Sequence, residues 1–421
     1  MAFFARQIEN NLRLALADTP VVCLLGARQV GKTTLARKIE TQRAYFNFDD
    51  EQVLQVAQAD PVGFVNGLPE RVTLDEIQRV PELLPVIKTV VDQARLTGDS
   101  SFGRFLLTGS ANLLLLPQVS ESLAGRMEII FLQPLTEWEK QVSDSQSKSF
   151  LLDQIVNQTI RTHIGKTNMK ADALAVAVCQ GGYPEPIKRS QSRSSRWFRQ
   201  YISAILEKDV KDIAGIHDER ELKRLLELLS SRTANLLNKS ALAGELRIER
   251  RTVERYLVVL EKLFLIRQLL PWHRNEAKRL IKTPKVHVCD SGLVCALRGL
   301  KIVDWAKKST GFGHILESFV VQQLMTQASW MDEALRFYHY RDKDQVEVDL
   351  VIENGADVWG VEIKRAAKVS LSDAKGLQRL KTQSGKNFVG GVLLYNGKAV
   401  FPLDDLKQCY AVPLSYLWKI D

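Results

Sequence analysis

Residues Leu24 to Leu35 read Leu-Leu-Gly-Ala-Arg-Gln-Val-Gly-Lys-Thr-Thr-Leu, and no other stretch narrows the possible folds as far. Gly26, four intervening residues and then Gly31-Lys32-Thr33 complete the phosphate-loop pattern. The flanks agree with it: the apolar run Val21 to Leu25 suits a buried strand, and a helix-like segment opens near Lys32. In such a loop the glycines let the backbone curl until successive N–H groups face one anion, and the following helix adds its positive end. Gly26, Ala27, Arg28, Gln29, Val30, Gly31, Lys32, Thr33 and Thr34 are therefore the expected nucleotide cradle. Lys32 would reach the terminal phosphates and Thr33 would ligate Mg2+. The bland alternative is a glycine turn before an ordinary helix.

Further strand ends follow. Tyr45 to Phe48, ending in Asp49-Asp50, reads as the second strand. Val72-Thr73-Leu74 leads into Asp75-Glu76, which is what a Walker B element needs. Asp75 would hold Mg2+ through water, and Glu76 would orient or deprotonate the attacking water. Phe105 to Leu107 runs into Thr108-Gly109-Ser110. Thr108 or Ser110 would touch the γ-phosphate or lytic water if that strand end faces the ligand crevice, and would otherwise form a simple turn. Arg126, before the strand Glu128 to Leu132, reads either as a sensor of the terminal phosphate or as a surface arginine at a strand start.

The phosphate loop, Leu-Asp-Glu-Ile-Gln at 74–78, Leu-Thr-Gly-Ser at 107–110 and Leu-Ala-Gly-Arg at 123–126 resemble a family of prokaryotic AAA-type P-loop ATPases that carry a C-terminal domain of unknown function. The resemblance covers nearly the whole chain. It implies an α/β protein whose residues 1–140 form an AAA-type ATPase core, a doubly wound parallel sheet with ATP at the C-terminal ends of its strands.

Length and composition set the remaining limits. A chain of 421 residues is long enough for about three domains. No apolar run approaches the roughly 18 residues needed to span a bilayer. The segment Met1 to Pro20 is interrupted by Arg6, Glu9 and Arg13, so it reads as an amphipathic helix and not as a signal peptide. The five cysteines are odd in number and lack C-x-x-C spacing, which argues against a disulfide framework or a zinc ribbon. The expectation is a cytoplasmic protein without membrane contact.

The net charge of +9 is localised: residues 186–284 carry 22 Lys and Arg against 12 Asp and Glu, and the remainder is nearly neutral. Such an excess either attracts nucleic acid phosphates or lies on solvated helix faces. Residues 141–210 read as a linker, with polar Ser143 to Ser149, followed by a helical lid. In that lid Trp197 to Val210 turns Tyr201, Ile205 and Leu206 inward. Residues 211–284 resemble a winged helix-turn-helix. A short helix opens at Ser240, Gly244 to Ile248 allows a turn, and Thr252 to Leu263 forms a second helix with Val253, Tyr256, Leu257 and Leu260 inward. An apolar strand, Phe264 to Leu270, follows. Arg247, Glu249, Arg250, Arg251 and Arg255 would then meet DNA, or the module would dock a protein partner.

Residues 285–421 hold a second group of chemistry. Asp290 is expected to cap a helix. Glu317 lies in an expected helix, His314 to Met325, with Leu316, Phe319, Val320 and Leu324 inward. Asp349 lies in the strand Val346 to Val351, and Glu362 and Lys364 lie in Val361 to Lys364. Period-two alternation places Glu362 and Lys364 opposite Val361 and Ile363, and Asp349 opposite Val348 and Leu350. The two strands can therefore aim Asp349, Glu362 and Lys364 into one pocket beneath Glu317. There Asp349 and Glu362 would bind Mg2+, and Lys364 would stabilise or deprotonate a hydroxide attacking a phosphodiester.

The order Glu, Asp, Glu-x-Lys resembles the PD-(D/E)XK nuclease superfamily, with Val348 where the Pro of that name would stand. The resemblance implies a restriction-endonuclease-like α/β domain. A half-exposed sheet with a same-face Glu/Lys pair is the structural alternative. Two functions stay open: an ATPase that controls a Mg-dependent DNA nuclease, or an ATP-dependent switch that binds protein or nucleic acid partners through an inactive nuclease-like domain. A P-loop kinase fits less well, because Asp75-Glu76 supplies a water-activating carboxylate and no acceptor lid is apparent.

Overall fold

The computed structural model describes residues 4–99, 101–109, 123–141, 150–164, 172–209, 218–277, 279, 282–307, 311–403, 406 and 408–418. The chain divides into two compact units, one built from Met1–Pro134 and the other mainly from Ser147–Glu261 and Leu265–Asp421. No helix among the described residues is long and apolar enough to cross a membrane. All five cysteines are free and buried.

The first unit is a five-stranded parallel sheet: β1 (Val21–Leu25), β2 (Ala44–Asn47), β3 (Val72–Asp75), β4 (Phe105–Gly109) and β5 (Met127–Phe131), in the order β2-β3-β4-β1-β5. Strands β1, β3 and β4 are buried along their whole length, which is why they read as near-continuous apolar runs without alternation. Helix Leu83–Thr97 lays Leu83, Leu84, Ile87 and Val91 on the sheet at helical spacing. It ends at Gly98, whose φ of 75° is the left-handed cap that glycine adopts without penalty. The amphipathic N-terminal helix is observed over Glu9–Asp18, with Leu12, Ala15 and Leu16 buried.

The second unit opens with helices and the short strand β6 (His163–Ile164). Helix Gln191–Asp209 buries Tyr201, Ile205 and Leu206 as expected. Tyr201 stacks on Trp197, with ring centroids 4.9 Å apart, and its hydroxyl donates to that of Tyr183 at 3.0 Å. Ser143 to Ser149 lie outside the described residues. Next come helix Glu219–Ser231, β7 (Asn235–Leu236), helices Lys239–Leu246 and Arg250–Lys262, β8 (Ile266–Leu269) and β9 (Lys285–Val288). The three strands form an antiparallel sheet in the order β7-β9-β8. The strand that opens the expected C-terminal region, β9, is thus hydrogen-bonded to two strands of the expected middle region.

The last part contributes β10 (Arg336–Arg341), β11 (Glu347–Asn354), β12 (Asp357–Lys364), β13 (Phe388–Tyr395), β14 (Ala399–Pro402) and β15 (Cys409–Pro413). With β6 they form a mixed sheet in the order β10-β11-β12-β13-β15-β14-β6. Helix Lys375–Ser384 packs closely on β11, because a Cβ on Gly376 would stand 2.0 Å from the Glu347 carbonyl oxygen. Helix Phe312–Ala328 is buried on nearly every side, and the expected inward residues Leu316, Phe319, Val320 and Leu324 are among its buried ones. Its buried glutamines have defined work: Gln323 and Gln327 accept the backbone N–H groups of Glu137 and Leu152 at 2.7 and 2.9 Å.

Two histidines of this unit are buried. His287 and His339 each leave one ring nitrogen without a partner. Burial, and then the charge of Lys285, lowers both, His339 to about 3 and His287 well below the ordinary value. The neutral rings are therefore the folded form, while an unfolded chain protonates them below about 6.5. Stability present above that pH is lost as pH falls toward 3, at about 1.4 kcal/mol per pH unit per ring. Histidine NMR should show two rings that do not titrate between pH 8 and 5. Ordinary titration of both rings would contradict this.

Candidate functional site

At the C-terminal end of β1 the chain leaves the sheet through Gly26, where a Cβ would lie 2.2 Å from the Leu132 carbonyl oxygen. That carbonyl belongs to backbone, so it cannot swing away. Gly31, at φ +104°, then starts helix Lys32–Lys38. Lys32 is 6% exposed, and its Nζ donates at 3.0 Å to the carbonyls of Gly26 and Ala27, spanning the loop. Arg6, also buried, donates to the carbonyls of Val30, at 2.9 Å, and Gln133, so the loop is held from outside as well. Gly26→Ala is expected to impose about 1–3 kcal/mol of overpacking on this turn, read as about a ten- to hundredfold loss of ATP affinity by calorimetry. Unchanged affinity would show that the Leu132 backbone yields.

Asp75 is the centre of the site. Its Oδ2 accepts from the Thr33 hydroxyl at 2.9 Å and from the Tyr45 hydroxyl, and its Oδ1 accepts from Thr108. Residues from the loop helix and from β2, β3 and β4 thus meet on one carboxylate, because the parallel sheet brings their C-terminal ends to one edge. Glu76 follows in the left-handed region at φ 60°. Its N–H points to Thr108 Oγ1 at 3.4 Å, and its carboxylate accepts from the Gln78 amide. Burial, then the hydrogen bond to Asp75, pushes the Tyr45 phenol up, so it stays a donor. The Arg37 guanidinium lies 4.1 Å above the Tyr45 ring centroid.

Ser110 lies outside the described residues. Arg126 stands at the start of β5, whose first residue pairs with Val21 at the start of β1, so it occupies the edge of the sheet opposite the loop. Its guanidinium is committed to Asp92, Nε to Oδ1 at 2.5 Å and Nη2 to Oδ2 at 2.9 Å. Within its own chain this pairing agrees with the strand-start reading. Conversely, Tyr45 and Arg6 carried no sequence signal for this site. Only the register, with Tyr45 beside Thr73 and Asn47 beside Asp75, shows why an aromatic on β2 reaches the Walker B carboxylate.

The second unit brings Glu317, Asp349, Glu362 and Lys364 together. Continuing the register Leu350↔Val361 by one residue sets Asp349 opposite Glu362. Asp349 Oδ2 accepts the Ile363 N–H at 2.9 Å, and Lys364 Nζ donates to Glu362 Oε1 at 2.6 Å. Glu362 Oε2 is buried without a hydrogen-bond partner. The half-exposed alternative does not hold: β11 and β12 are buried on both faces, and Glu362 is 6% and Asp349 9% exposed.

One member of the group had no sequence signal. Lys285, which opens β9 and is 3% exposed, places Nζ 2.8 Å from Glu317, 3.3 Å from Glu347 and 3.7 Å from Asp349. Burial, then Asp349, raises Glu317 well above the carboxylate range and Glu362 to about 8. Burial opposes the charge on Lys285 and Lys364, but the carboxylates around them outweigh it and hold both above the ordinary lysine value. Among the described residues, no group of three or more His, Cys, Asp or Glu side chains converges as a metal-ligand set.

The basic helix is observed over Arg250–Lys262, with Val253, Tyr256, Leu257 and Leu260 buried. Arg247, Glu249, Arg250, Arg251 and Arg255 are exposed. Glu254 pairs with both Arg250 and Lys239, at 3.3 and 3.4 Å. Asp290 caps the helix Ser291–Arg298 by accepting the Leu293 N–H at 2.9 Å.

Comparison with known proteins adds the following. A family described as an AAA domain matches residues 18–140. Two domains of unknown function, DUF8612 and DUF4143, match residues 171–303 and 312–417. The uncharacterized protein Rv2008c of Mycobacterium tuberculosis is 31% identical over 414 residues, covering 98% of this chain and 84% of its own. The uncharacterized protein MJ1544 of Methanocaldococcus jannaschii is 24% identical over 367 residues, covering 83% of this chain and 75% of its own. Among solved structures, the Walker-type ATPase PABY2304 of Pyrococcus abyssi is 16% identical, with a TM-score of 0.38 over 70% of this chain and 96% of its own.

Proposed function

The chain belongs to the family of the Mycobacterium tuberculosis protein Rv2008c, with an AAA-type P-loop ATPase domain at its N-terminal end, and from that premise we propose that it hydrolyses ATP to control a DNA-directed, nuclease-like C-terminal module. The observation that carries the second half is the gathering of the buried Glu317, Asp349 and Glu362 with the half-buried Lys364 in one cluster.

In the ATPase half, the Gly26 cradle, Lys32 folded across the loop and the adjacent Thr33 and Asp75 fit a nucleotide with Mg2+. Bound Mg2+ would neutralise charge developing on the phosphates. Lys32 exchanges its loop carbonyls for phosphate oxygens. Thr33 and Asp75 are the residues that would hold the ion, Thr108 fixes Asp75, and Glu76 takes the proton of the attacking water.

In the C-terminal half, the orphaned Glu362 Oε2 opposite Asp349 fits a Mg2+ ion held by two carboxylates, an ion that ordinarily keeps several waters and a substrate phosphate. Such an ion would supply Lewis-acid charge at a phosphodiester. Lys364, held by Glu362, stands ready to stabilise the attacking hydroxide. The order helix, β7, helix, helix, β8, β9 over residues 219–288 supports a winged helix whose exposed arginines meet DNA phosphates.

Lys32→Ala is expected to abolish ATP binding and turnover. Glu362→Ala is expected to abolish DNA cleavage and spare ATP turnover. Plasmid, linear and single-stranded DNA all surviving Mg2+ or Mn2+, with and without ATP, would remove the nuclease half. A second reading, an ATP-dependent switch whose nuclease-like and winged modules only bind protein or nucleic acid partners, is favoured by Lys285 filling the carboxylate cluster. Mn2+ uptake that is lost in Asp349→Ala would count against it.

A further inference from the structure

We infer that Lys285, delivered by β9, is a permanent internal cation at the Glu317 end of the carboxylate cluster, so that the site takes one divalent ion, at Asp349 and Glu362, and not two. The inference rests on the nuclease-like reading above and deepens it.

An ammonium has three donors and no acceptor. Lys285 Nζ donates to Glu317 at 2.8 Å and lies within ion-pair reach of Glu347 and Asp349, at 3.3 and 3.7 Å, so three carboxylates surround the ammonium. Lys285 and Glu317 are both buried, at 3% and 7% exposure, and the lysine cannot leave for water without uncovering three acids. Glu347 is held in addition by Arg341 at 3.0 Å. A divalent ion at Glu317 would have to displace this ammonium from the lowest-dielectric part of the site.

The other end of the cluster is different. Glu362 is 6% exposed and its Oε2 has no partner, although Oε1 is bound by Lys364. A buried carboxylate oxygen left unpaired is costly unless something occupies it. The cluster is thus divided into a half closed by a side chain and a half with unused ligand capacity. Lys285 is a positioning residue in this scheme: it neutralises Glu317, orients Asp349 from 3.7 Å, and leaves Asp349 and Glu362 to share the ion. Because β9 pairs with β7 and β8, the sheet next to the basic helix also carries the residue that sets the ion count.

The experiment counts ions. Mn2+ is titrated into the full chain without nucleotide, and free Mn2+ is read from its EPR signal. The Asp349→Ala/Glu362→Ala chain supplies the background from the P-loop. Above that background, the wild type is expected to bind one Mn2+, lost in Glu362→Ala, and Lys285→Arg to keep it. Lys285→Met is expected to bind two. Because Lys285→Met leaves three acids facing one another and can fail to fold, Lys285→Met/Glu347→Gln, with one negative charge fewer, carries the same expectation of two. Two ions in the wild-type cluster, or one in the folded Lys285→Met chains, would overturn the role of Lys285 and leave the metal-site reading intact. No ion above background in any chain would overturn both.

Discussion

Replacing Glu76 by glutamine is expected to slow ATP hydrolysis by about 10²- to 10⁴-fold, the range that a positioned general base contributes, while ATP still binds. Binding survives because the groups that grip phosphate lie elsewhere: Lys32, Thr33 and the loop N–H groups are untouched by the change. Turnover fails because the neighbouring acid of β3 is already engaged. Asp75, its neighbour, already accepts from Thr33, Tyr45 and Thr108. Glu76 sits in the left-handed region, φ 60°, directly after β3 ends at Asp75. A non-glycine residue keeps such a conformation only where its surroundings impose it. Steady-state phosphate release and a fluorescent-nucleotide titration on the same preparation separate the two effects. A Glu76→Gln chain that hydrolyses ATP within threefold of wild type would move the base to another residue.

Much of the first unit was legible because a phosphate loop fixes what surrounds it. A strand must precede Gly26, a helix must follow Lys32, and β3 had to end in acids. Tyr45 and Arg6 were not legible, since each reaches the site through tertiary packing and not through its own sequence neighbourhood. Arg126 stayed open between two readings for the opposite reason: a Gly-Arg before a strand suits either, and the parallel register, with strand starts and the phosphate loop at opposite edges, favours the strand-start one. In the second unit, alternation sorted Asp349, Glu362 and Lys364 onto one side without revealing that both faces are covered. Lys285 escaped because a lysine opening a strand reads as solvated. Only a sheet that turns β9 toward Glu317 makes it the best-compensated ammonium of that cluster.

The second large effect concerns the connection between β8 and β9. Its described residues do not stand free. Pro271 bridges to His339, Trp272 Nε1 donates to Glu353 Oε2 at 3.0 Å, and the Arg279 guanidinium grips Glu353 with two bonds, at 2.8 and 2.7 Å. Arg279 also lies 4.7 Å over the Tyr338 ring centroid. Arginine suits this position because its planar fork matches a carboxylate and stacks on an aromatic face, which lysine cannot do. Both partners are nearly buried, at 7% and 8% side-chain exposure.

Arg279→Met is therefore expected to cost about 3–5 kcal/mol, because it leaves the Glu353 charge buried with only the Trp272 N–H for company. Removing both charges in Arg279→Met/Glu353→Met should recover most of that loss, since a well-packed apolar pair is often as stable as a buried ion pair. Urea unfolding of the wild type, the two single variants and the double variant closes the cycle and isolates the coupling. If Arg279→Met alone cost less than about 1 kcal/mol, the value of an exposed pair, Glu353 would have to find water or a new partner. The connection would then be a loosely held wing free to reach a ligand, and not a strap tied to β11.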